Sequence, residues 1–338
     1  MTSPLHYLSS MRKLLLFLAA AIAASAQVPK PPWAGGAPPG KKSSNVVNST
    51  SDAAQNSDAT IKVDVKLVNV FVTVTDNHGA PVGGLTKENF ELLEDDTAQT
   101  ISVFDKESAL PLSIVMDIDT SLSTRKDLPL ELTSARRFAH AILRPVDALS
   151  LYEFSETVDE VVPFTADLKT IDRGIDHVRY GAATALYDAI YLSSQAVDRR
   201  QGRKVMVVIT DGGDTVSRVD YQEAVRAAQE AEAIVYSIII VPIEASAGRD
   251  LGGEHALIQI SEDTGGKYFY ATSLGELDEA FKKISDELRT QYLLAYYPSR
   301  HSSDSNFRRI EVKVTGAPGS STLVVRHRTG YYTRKSHF

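Results

Sequence analysis

Apolar residues in the middle of the chain alternate between short runs rich in β-branched residues and longer segments with helical spacing. The apolar runs are Leu112 to Ile118, Ala148 to Phe154, Val205 to Ile209 and Ile234 to Val241. Between them, apolar positions recur every three or four residues, as in Leu132, Ala135, Phe138 and Ile142, in Leu186, Ala189, Ile190 and Val197, and from Leu274 to Leu288. Buried strands that alternate with amphipathic helices predict a doubly wound α/β domain with a mostly parallel sheet.

The two flanks of this region show the alternation of apolar and polar residues that is typical of antiparallel strands. On the N-terminal side the predicted strands run from Ile61 to Val74, Phe90 to Leu93 and Ile101 to Phe104, and on the C-terminal side from Tyr292 to Tyr297, Ile310 to Val314 and Leu323 to Val325. Each flank is too short to bury a core alone. We therefore expect both chain ends to form one small antiparallel β-sandwich, into which the α/β domain is inserted.

The amino-acid composition argues against several classes of function. The chain has 338 residues, a length typical of about two domains, and a formal net charge of -7, which argues against general nucleic-acid binding. It contains no cysteine, so disulfides, thiolate metal sites and cysteine catalysis are excluded.

The N-terminus has the three-part pattern of a secretory signal peptide. Arg12 and Lys13 precede an apolar run from Leu14 to Ala24, and small residues allow cleavage after Ala26. An uncleaved membrane anchor is the alternative. Residues 27–59 are rich in Pro, Gly, Ser and Asn and predict a disordered linker. The predicted organisation is a signal peptide at 1–26, the linker at 27–59, a β segment at 60–108 packing with 291–335, the α/β domain at 109–290, and a C-terminal β segment at 291–338. The protein is expected to be secreted or periplasmic.

Candidate chemistry is concentrated in three segments predicted to follow strands or precede helices. The first is Asp119-Thr-Ser-Leu-Ser123, the second is Gly181-Ala-Ala-Thr-Ala-Leu-Tyr-Asp-Ala-Ile190, and the third is Ile209-Thr-Asp-Gly-Gly213. In open α/β sheets, ligands bind beyond the carboxyl ends of the strands. A carboxylate and two hydroxyls at alternate positions of the first segment are hard oxygen ligands, which suit Mg²⁺ and similar cations.

These three segments, in this order, resemble the von Willebrand factor type A (VWA) domain and its metal-ion-dependent adhesion site (MIDAS). The resemblance covers roughly Leu110 to Arg289, and the flanks resemble the secreted VWFA-related proteins of acidobacteria through Tyr292 to Pro298 and Gly330-Tyr-Tyr332. It implies that one Mg²⁺ or Mn²⁺ ion is held by Asp119, Ser121, Ser123, Thr184 and Asp211. It also implies a non-enzymatic, adhesion-type protein whose partner supplies an acidic side chain to the metal.

Three residues complicate this interpretation. Leu122 stands where the family commonly has glycine; it could contact the partner or cap the core, and we favour the second alternative. Asp117 and Asp214 are additional acidic residues near the site. We expect them to contact the metal ligands, without binding the metal themselves, or to face solvent.

Two other functions stay open. The domain could be a structural module of the cell envelope with a non-essential metal site. Alternatively, Asp117 and Asp119 could be the nucleophile and general acid of a haloacid-dehalogenase-type phosphatase. That second alternative leaves the segment from Gly181 to Ile190 unexplained.

Overall fold

The computed structural model describes residues 67–106, 110–241, 251–299, 307–316 and 322–333. The predicted signal peptide, the linker and the first part of the predicted N-terminal strand lie outside the described residues. The strands are β1 Val68–Thr75, β2 Phe90–Glu94, β3 Thr97–Ala98, β4 Ile101–Lys106, β5 Leu112–Asp119, β6 Ala148–Phe154, β7 Val158–Thr165, β8 Arg203–Thr210, β9 Ala233–Ile240, β10 Lys267–Ala271, β11 Tyr292–Tyr296, β12 Phe307–Val314, β13 Val324–Arg326 and β14 Gly330–Tyr332. The helices are α1 Leu128–Ile142, α2 Leu168–His177, α3 Leu186–Asp198, α4 Tyr221–Glu230, α5 Leu251–Asp263 and α6 Leu274–Thr290.

A six-stranded sheet in the order β10-β9-β8-β5-β6-β7 forms the centre of the described structure. All neighbouring pairs are parallel except β6 and β7. Every residue of β5 and β9 is buried, because helices cover both faces of the sheet. The predicted α/β fold class is therefore confirmed. Among the residues that the structure describes, no helix is long and apolar enough to cross a membrane.

The chain ends form two antiparallel four-stranded sheets, as the alternating pattern predicted. One has the order β13-β1-β11-β4 and the other β14-β12-β2-β3, so each combines strands from both ends of the chain. The register pairs Val70 with Leu294 and Leu92 with Val312. All four of these side chains are buried in one apolar cluster, which is the core of the predicted sandwich.

The sequence pattern did not predict α2, α5 or β10. Helix α2 is short, with 10 residues, and Leu168, Ile171 and Ile175 are its only apolar residues, although their spacing is helical. Helix α5 has Gly252 and Gly253 in its first turn, and glycine has a low helix propensity. The two helices form because the sheet offers them an apolar face, and β10 forms by pairing with β9, so all three depend on tertiary contacts.

The sandwich also contains a buried ion pair between its two chain ends. Glu94, which is 2% exposed, accepts hydrogen bonds from Arg308 and from the hydroxyls of Tyr296 and Tyr331, at 2.7 and 2.8 Å for the tyrosines. Arg308 is itself only 6% exposed. A buried charge is tolerated when it is paired and hydrogen bonded, as Glu94 is here.

We predict that Glu94→Gln lowers the free energy of unfolding by about 3 to 5 kcal/mol, because it leaves the Arg308 guanidinium buried without a counter-charge. The control is Asp96→Asn, which breaks an ion pair to Arg309 whose side chains are 74% and 62% exposed. Urea unfolding of both variants should show a far smaller change for Asp96→Asn, since exposed pairs contribute little. Equal effects would contradict the importance of the buried pair.

Candidate functional site

The candidate site lies where the two central strands of the parallel sheet end. Strands β5 and β8 are neighbours, with Ile118 in register with Ile209. The chain leaves β5 through α1 toward β6 on one side, whereas β8 lies on the other side. Such a reversal of strand order opens a crevice at the carboxyl edge of a sheet, and ligands bind there.

Three loops surround this crevice: the first loop is residues 120–127, the second is 178–185 and the third is 211–220. The first loop folds tightly over the end of β5. The Ser121 amide donates to Asp119 Oδ1 at 2.8 Å, and the hydroxyls of Ser121 and Ser123 lie 3.1 Å apart. Thr124 Oγ1 donates to the carbonyls of Asp119 and Ser121, which closes the turn. Asp119 and Ser121 are buried whereas Ser123 is exposed, so this cluster of oxygen atoms reaches from the core to the surface.

The third loop is joined to the first by one short hydrogen bond. Thr210 Oγ1, at the end of β8, donates to Asp119 Oδ2 at 2.6 Å. The same Thr210 oxygen accepts the Gly212 amide at 3.1 Å, so the chain turns sharply after Asp211. Gly212 adopts a φ of 106°, a conformation that favours glycine. This turn leaves Asp211 half-buried beside the crevice.

The second loop is bonded to both of the others. The Gly181 amide donates to the Thr120 carbonyl at 2.8 Å, which joins it to the first loop. Thr184 and Thr215 form a reciprocal pair: the Thr215 amide donates to the Thr184 carbonyl at 2.8 Å, and the Thr184 amide donates to Thr215 Oγ1 at 2.9 Å. All three loops that carry the predicted ligands therefore meet at one edge of the sheet.

The carboxylate of Glu156, which lies outside the three loops in sequence, also stabilises the second loop. Glu156 Oε2 accepts the Ala182 amide at 2.8 Å and the Ala183 amide at 3.4 Å. These backbone hydrogen bonds lower the pKa of Glu156 to about 2. The loop that presents Thr184 is thus held in place by an exposed, ionised side chain.

Burial dominates the electrostatics of the site. It raises the pKa of Asp119 to about 6, against the opposing effect of the hydrogen bonds from Thr210 and Ser121, and the nearby Asp211 carboxylate raises it further. Burial also raises the pKa of Asp117 to about 7, although a hydrogen bond from Ser193 lowers it. A divalent cation at the crevice would favour the ionised form of such carboxyls.

The structure corrects the expectation for Leu122. This side chain is 58% exposed and does not cap the core. Asp214 is half-buried and accepts hydrogen bonds from the Tyr187 amide and the Ser217 hydroxyl, so it stabilises the start of α3.

Asp117 lies behind the site, fully buried, with Ser193 Oγ bonded to its Oδ1. In that position it has no access to a phosphate ester. This burial argues against the phosphatase alternative, which needs Asp117 as its nucleophile.

The donor set fits a hard divalent cation. Two carboxylates, Asp119 and Asp211, and three hydroxyls, Ser121, Ser123 and Thr184, come from the loops that converge here, and oxygen ligands of this kind suit Mg²⁺. Within the described ranges, no group of three or more histidine, aspartate or glutamate side chains is arranged to hold a metal. The assignment of these five residues as metal ligands stays a prediction.

Sequence reasoning missed several residues that shape the site. Thr210 was noticed only as part of the third segment, although its hydroxyl connects both central strands. Thr215 and Glu156 hold the second loop, but neither residue type has a sequence signature for that role. Glu131 on α1 is also buried near the site, at 1% exposure. Its position on the apolar stripe of α1, four residues before Ala135, is the one signal that could have drawn attention to it.

Comparison with known proteins identifies a family for one segment of the chain. Residues 114–213 match the family model of the von Willebrand factor type A domain. No curated protein sequence matches the chain. The predicted family is thus confirmed for residues 114–213, and the closer relationship to acidobacterial proteins stays a prediction.

Solved structures similar to this one include a conserved hypothetical protein, BatB, from Bacteroides thetaiotaomicron, at 20% identity and a TM-score of 0.43, covering 53% of this chain and 100% of that one. Another is a von Willebrand factor type A protein from Catenulispora acidiphila, at 12% identity and a TM-score of 0.47, covering 78% and 73%. A third is the vWF domain of the type V pili tip protein Mfa5 from Porphyromonas gingivalis, at 13% identity and a TM-score of 0.42, covering 53% and 95%. None of these similarities transfers a function to the chain.

The third loop is also packed against the start of α5. A Cβ atom at Gly253 would lie 1.4 Å from the Gly212 carbonyl oxygen, which is far inside contact distance. The backbone of α5 can approach the third loop this closely only because residue 253 has no side chain.

We predict that Gly253→Ala displaces the third loop and lowers the free energy of unfolding by about 1 to 3 kcal/mol through overpacking. The matched control is Gly275→Ala on α6, where the nearest atom to a new Cβ is 4.0 Å away. That variant should be as stable as the wild type or up to about 1 kcal/mol more stable, because alanine favours the helix. Thermal unfolding measures the stability of both variants. A Gly253→Ala variant as stable as the wild type would contradict the close packing.

Proposed function

We propose that the chain, whose central sheet belongs to a von Willebrand factor type A domain, is a secreted, divalent-cation-dependent protein-binding module. In this proposal Asp119, Ser121, Ser123, Thr184 and Asp211 hold one Mg²⁺ or Mn²⁺ ion. A partner protein completes the coordination with an acidic side chain. The observation that carries the proposal is the meeting of three hydrogen-bonded loops at the reversal of strand order, with their hydroxyl and carboxylate residues together.

The charge of the donor set supports recognition of an acidic partner. Asp119 and Asp211 together carry two negative charges when ionised, which formally balance a divalent ion, and the hydroxyls of Ser121, Ser123 and Thr184 add none. A cation held in this way supplies a positive centre with room for one more oxygen ligand, because Mg²⁺ retains exchangeable waters in such sites. Ser123 is exposed and Asp211 is half-buried, so the crevice is open toward solvent on this side.

The rim of the crevice supports a protein as the ligand. Each loop contributes one exposed apolar side chain: Leu122 at 58%, Tyr180 at 50% and Val216 at 45% exposure. The Arg125 guanidinium lies over the Tyr180 ring, 5.1 Å from its centroid. Tyrosine and arginine, here Tyr180 and Arg125, are among the side chains that contribute most at protein interfaces, and exposed aliphatic side chains such as Leu122 and Val216 add apolar area around them. Arg125 also adds positive charge where an acidic partner would approach.

Action outside the cytoplasm is part of the proposal. Its support is the predicted signal peptide at residues 1–26, with cleavage after Ala26. The absence of cysteine is compatible with any redox compartment. A structural role in the envelope, with a dispensable cation, is the alternative that the experiments below separate from adhesion-type binding.

We predict that Mn²⁺ binds the purified protein and that Thr184→Ala weakens this binding about tenfold or more, because a ligand is lost. Asp117→Asn is the matched comparison, since Asp117 is buried behind the site, and it should leave Mn²⁺ affinity nearly unchanged. Calorimetric or electron paramagnetic resonance titration measures both variants. The reverse pattern, with Asp117→Asn damaging and Thr184→Ala silent, would favour phosphatase chemistry and contradict the proposal.

We also predict that immobilised peptides containing aspartate or glutamate bind the protein in Mg²⁺ and release it in EDTA. The control peptides carry asparagine or glutamine at the same positions, which keeps their shape and removes the carboxylate. Asp119→Ala should abolish binding to the acidic set while circular dichroism remains unchanged. Binding that survives both EDTA and Asp119→Ala would remove the cation from recognition and favour the structural module.

A further inference from the structure

Glu131 lies on the buried side of α1, where most of the other side chains are apolar. The buried residues of this helix include Leu128, Ala135, Phe138 and Ile142, spaced three or four residues apart. This spacing forms one helical stripe that faces the sheet, and Glu131 lies on it. Its amide donates to the Asp127 carbonyl at 3.0 Å, so the residue lies in the first turn, directly after the first loop. The fold therefore buries a carboxyl beside the candidate site.

The Glu131 carboxyl has no hydrogen-bond partner among the described residues, on either of its oxygen atoms. Other buried glutamates have partners. Glu94 is bonded to Arg308 and two tyrosines, and Glu287 lies 2.6 Å from Arg326. Burying an acid without a partner is costly, whether it is ionised or neutral. A group outside the described residues is therefore expected to satisfy Glu131.

The surroundings of Glu131 point to a cation as that group. Burial raises the pKa of Glu131 well above its usual range, and the nearby carboxylates of Asp119, Asp127 and Asp211 raise it further. All three neighbouring charges are thus negative, and two of them belong to the predicted metal ligands. A divalent cation at the crevice would reverse this effect and stabilise all these carboxylates together.

The arrangement does not favour direct ligation of one ion by three carboxylates, since no such group converges in the described residues. Mg²⁺ keeps several of its waters when proteins bind it, and side chains that accept hydrogen bonds from those waters tune its affinity.

We propose that Glu131 is a further acidic residue of the cation site, which accepts hydrogen bonds from a water of the bound ion and supplies a third negative charge. This inference rests on the proposed function, because it requires that the crevice binds a cation. Glu131 acts as a positioning residue for the hydrated ion and increases its affinity. It has no part in contacting the protein partner.

The test compares Mn²⁺ titrations of the full chain with those of Glu131→Gln, Glu131→Leu and Glu287→Gln. Glutamine keeps the shape of Glu131 and removes its charge, and we expect it to weaken Mn²⁺ binding about tenfold, within the range of such outer partners. Glu131→Leu should weaken binding at least as much. Glu287→Gln removes an equally buried carboxyl from the ion pair with Arg326 and should leave the affinity unchanged.

Thermal unfolding provides a second readout that distinguishes this role from simple packing. Without metal, Glu131→Gln should melt at or above the wild-type temperature, because it removes an uncompensated buried acid. With saturating Mn²⁺ its melting temperature should rise less than that of the wild type, since the weaker complex stabilises the folded state less.

The outcomes separate the two proposals. If the wild type binds Mn²⁺, Asp119→Ala abolishes binding and Glu131→Gln binds as tightly as the wild type, this inference fails and the proposed cation site stands. If the wild type does not bind Mn²⁺, both are overturned.

Discussion

The adjacency of β5 and β8 at the centre of the sheet is the constraint on which the candidate site depends. The two strands are parallel and in register, so their carboxyl ends emerge side by side, and Thr210 on one donates to Asp119 on the other at 2.6 Å. The reversal of strand order at this point opens the crevice, and the loops that leave both strands must border it. The second loop joins through Gly181 and Thr184, whose backbone groups bond to the first and third loops. The geometry of the site is therefore a consequence of sheet topology.

Buried carboxyls that no basic side chain is shown to pair with give this site its chemical character. Asp117 and Asp119 are 0% exposed and Glu131 is 1% exposed, and burial raises the pKa of each. Elsewhere in the described structure, the buried Glu94 is compensated by an arginine and two tyrosines. The contrast follows from location: Glu94 in the sandwich is paired with Arg308, whereas Asp119 and Glu131 at the sheet edge have other acidic side chains nearby. A cation is the simplest compensation for such an arrangement.

The sandwich built from the chain ends connects directly to the α/β domain. Helix α6 ends at Thr290, and β11 begins at Tyr292 and pairs with β1 and β4 in the terminal sheet. The two parts also share polar contacts, since Arg326 donates to the Gly266 carbonyl at 2.7 Å and pairs with Glu287. These contacts lie among the residues around α6, at positions far from the three loops in sequence. The sandwich thus contacts the α/β domain at Gly266 and at Glu287 of α6.

The spacing of apolar residues along the chain was enough to predict most of the helices and strands and the fold class. Alternation in the flanks and buried β-branched runs in the centre led to the α/β domain and to the terminal sandwich, because burial imposes periodicities of two and 3.6 residues on any sequence. The three segments with Asp119, Thr184 and Asp211 could also be located in advance, since their residue types and their order are visible in the sequence. Elements with few buried residues, such as α2, or with unfavourable local propensity, such as α5, were missed because their stability comes from the sheet beneath them.

Contacts between distant residues decided the rest. Leu122 is exposed and Asp117 is fully buried behind the site, and the exposure of neither residue can be predicted from its neighbours in sequence. The hydroxyls of Thr210 and Thr215 matter because of the strands and loops they bond to, and Glu131 because the fold buries its carboxyl without a hydrogen-bond partner among the described residues. Burial, hydrogen bonding and charge compensation are properties of the assembled fold. The chain specifies which groups are available, and packing determines which of them meet.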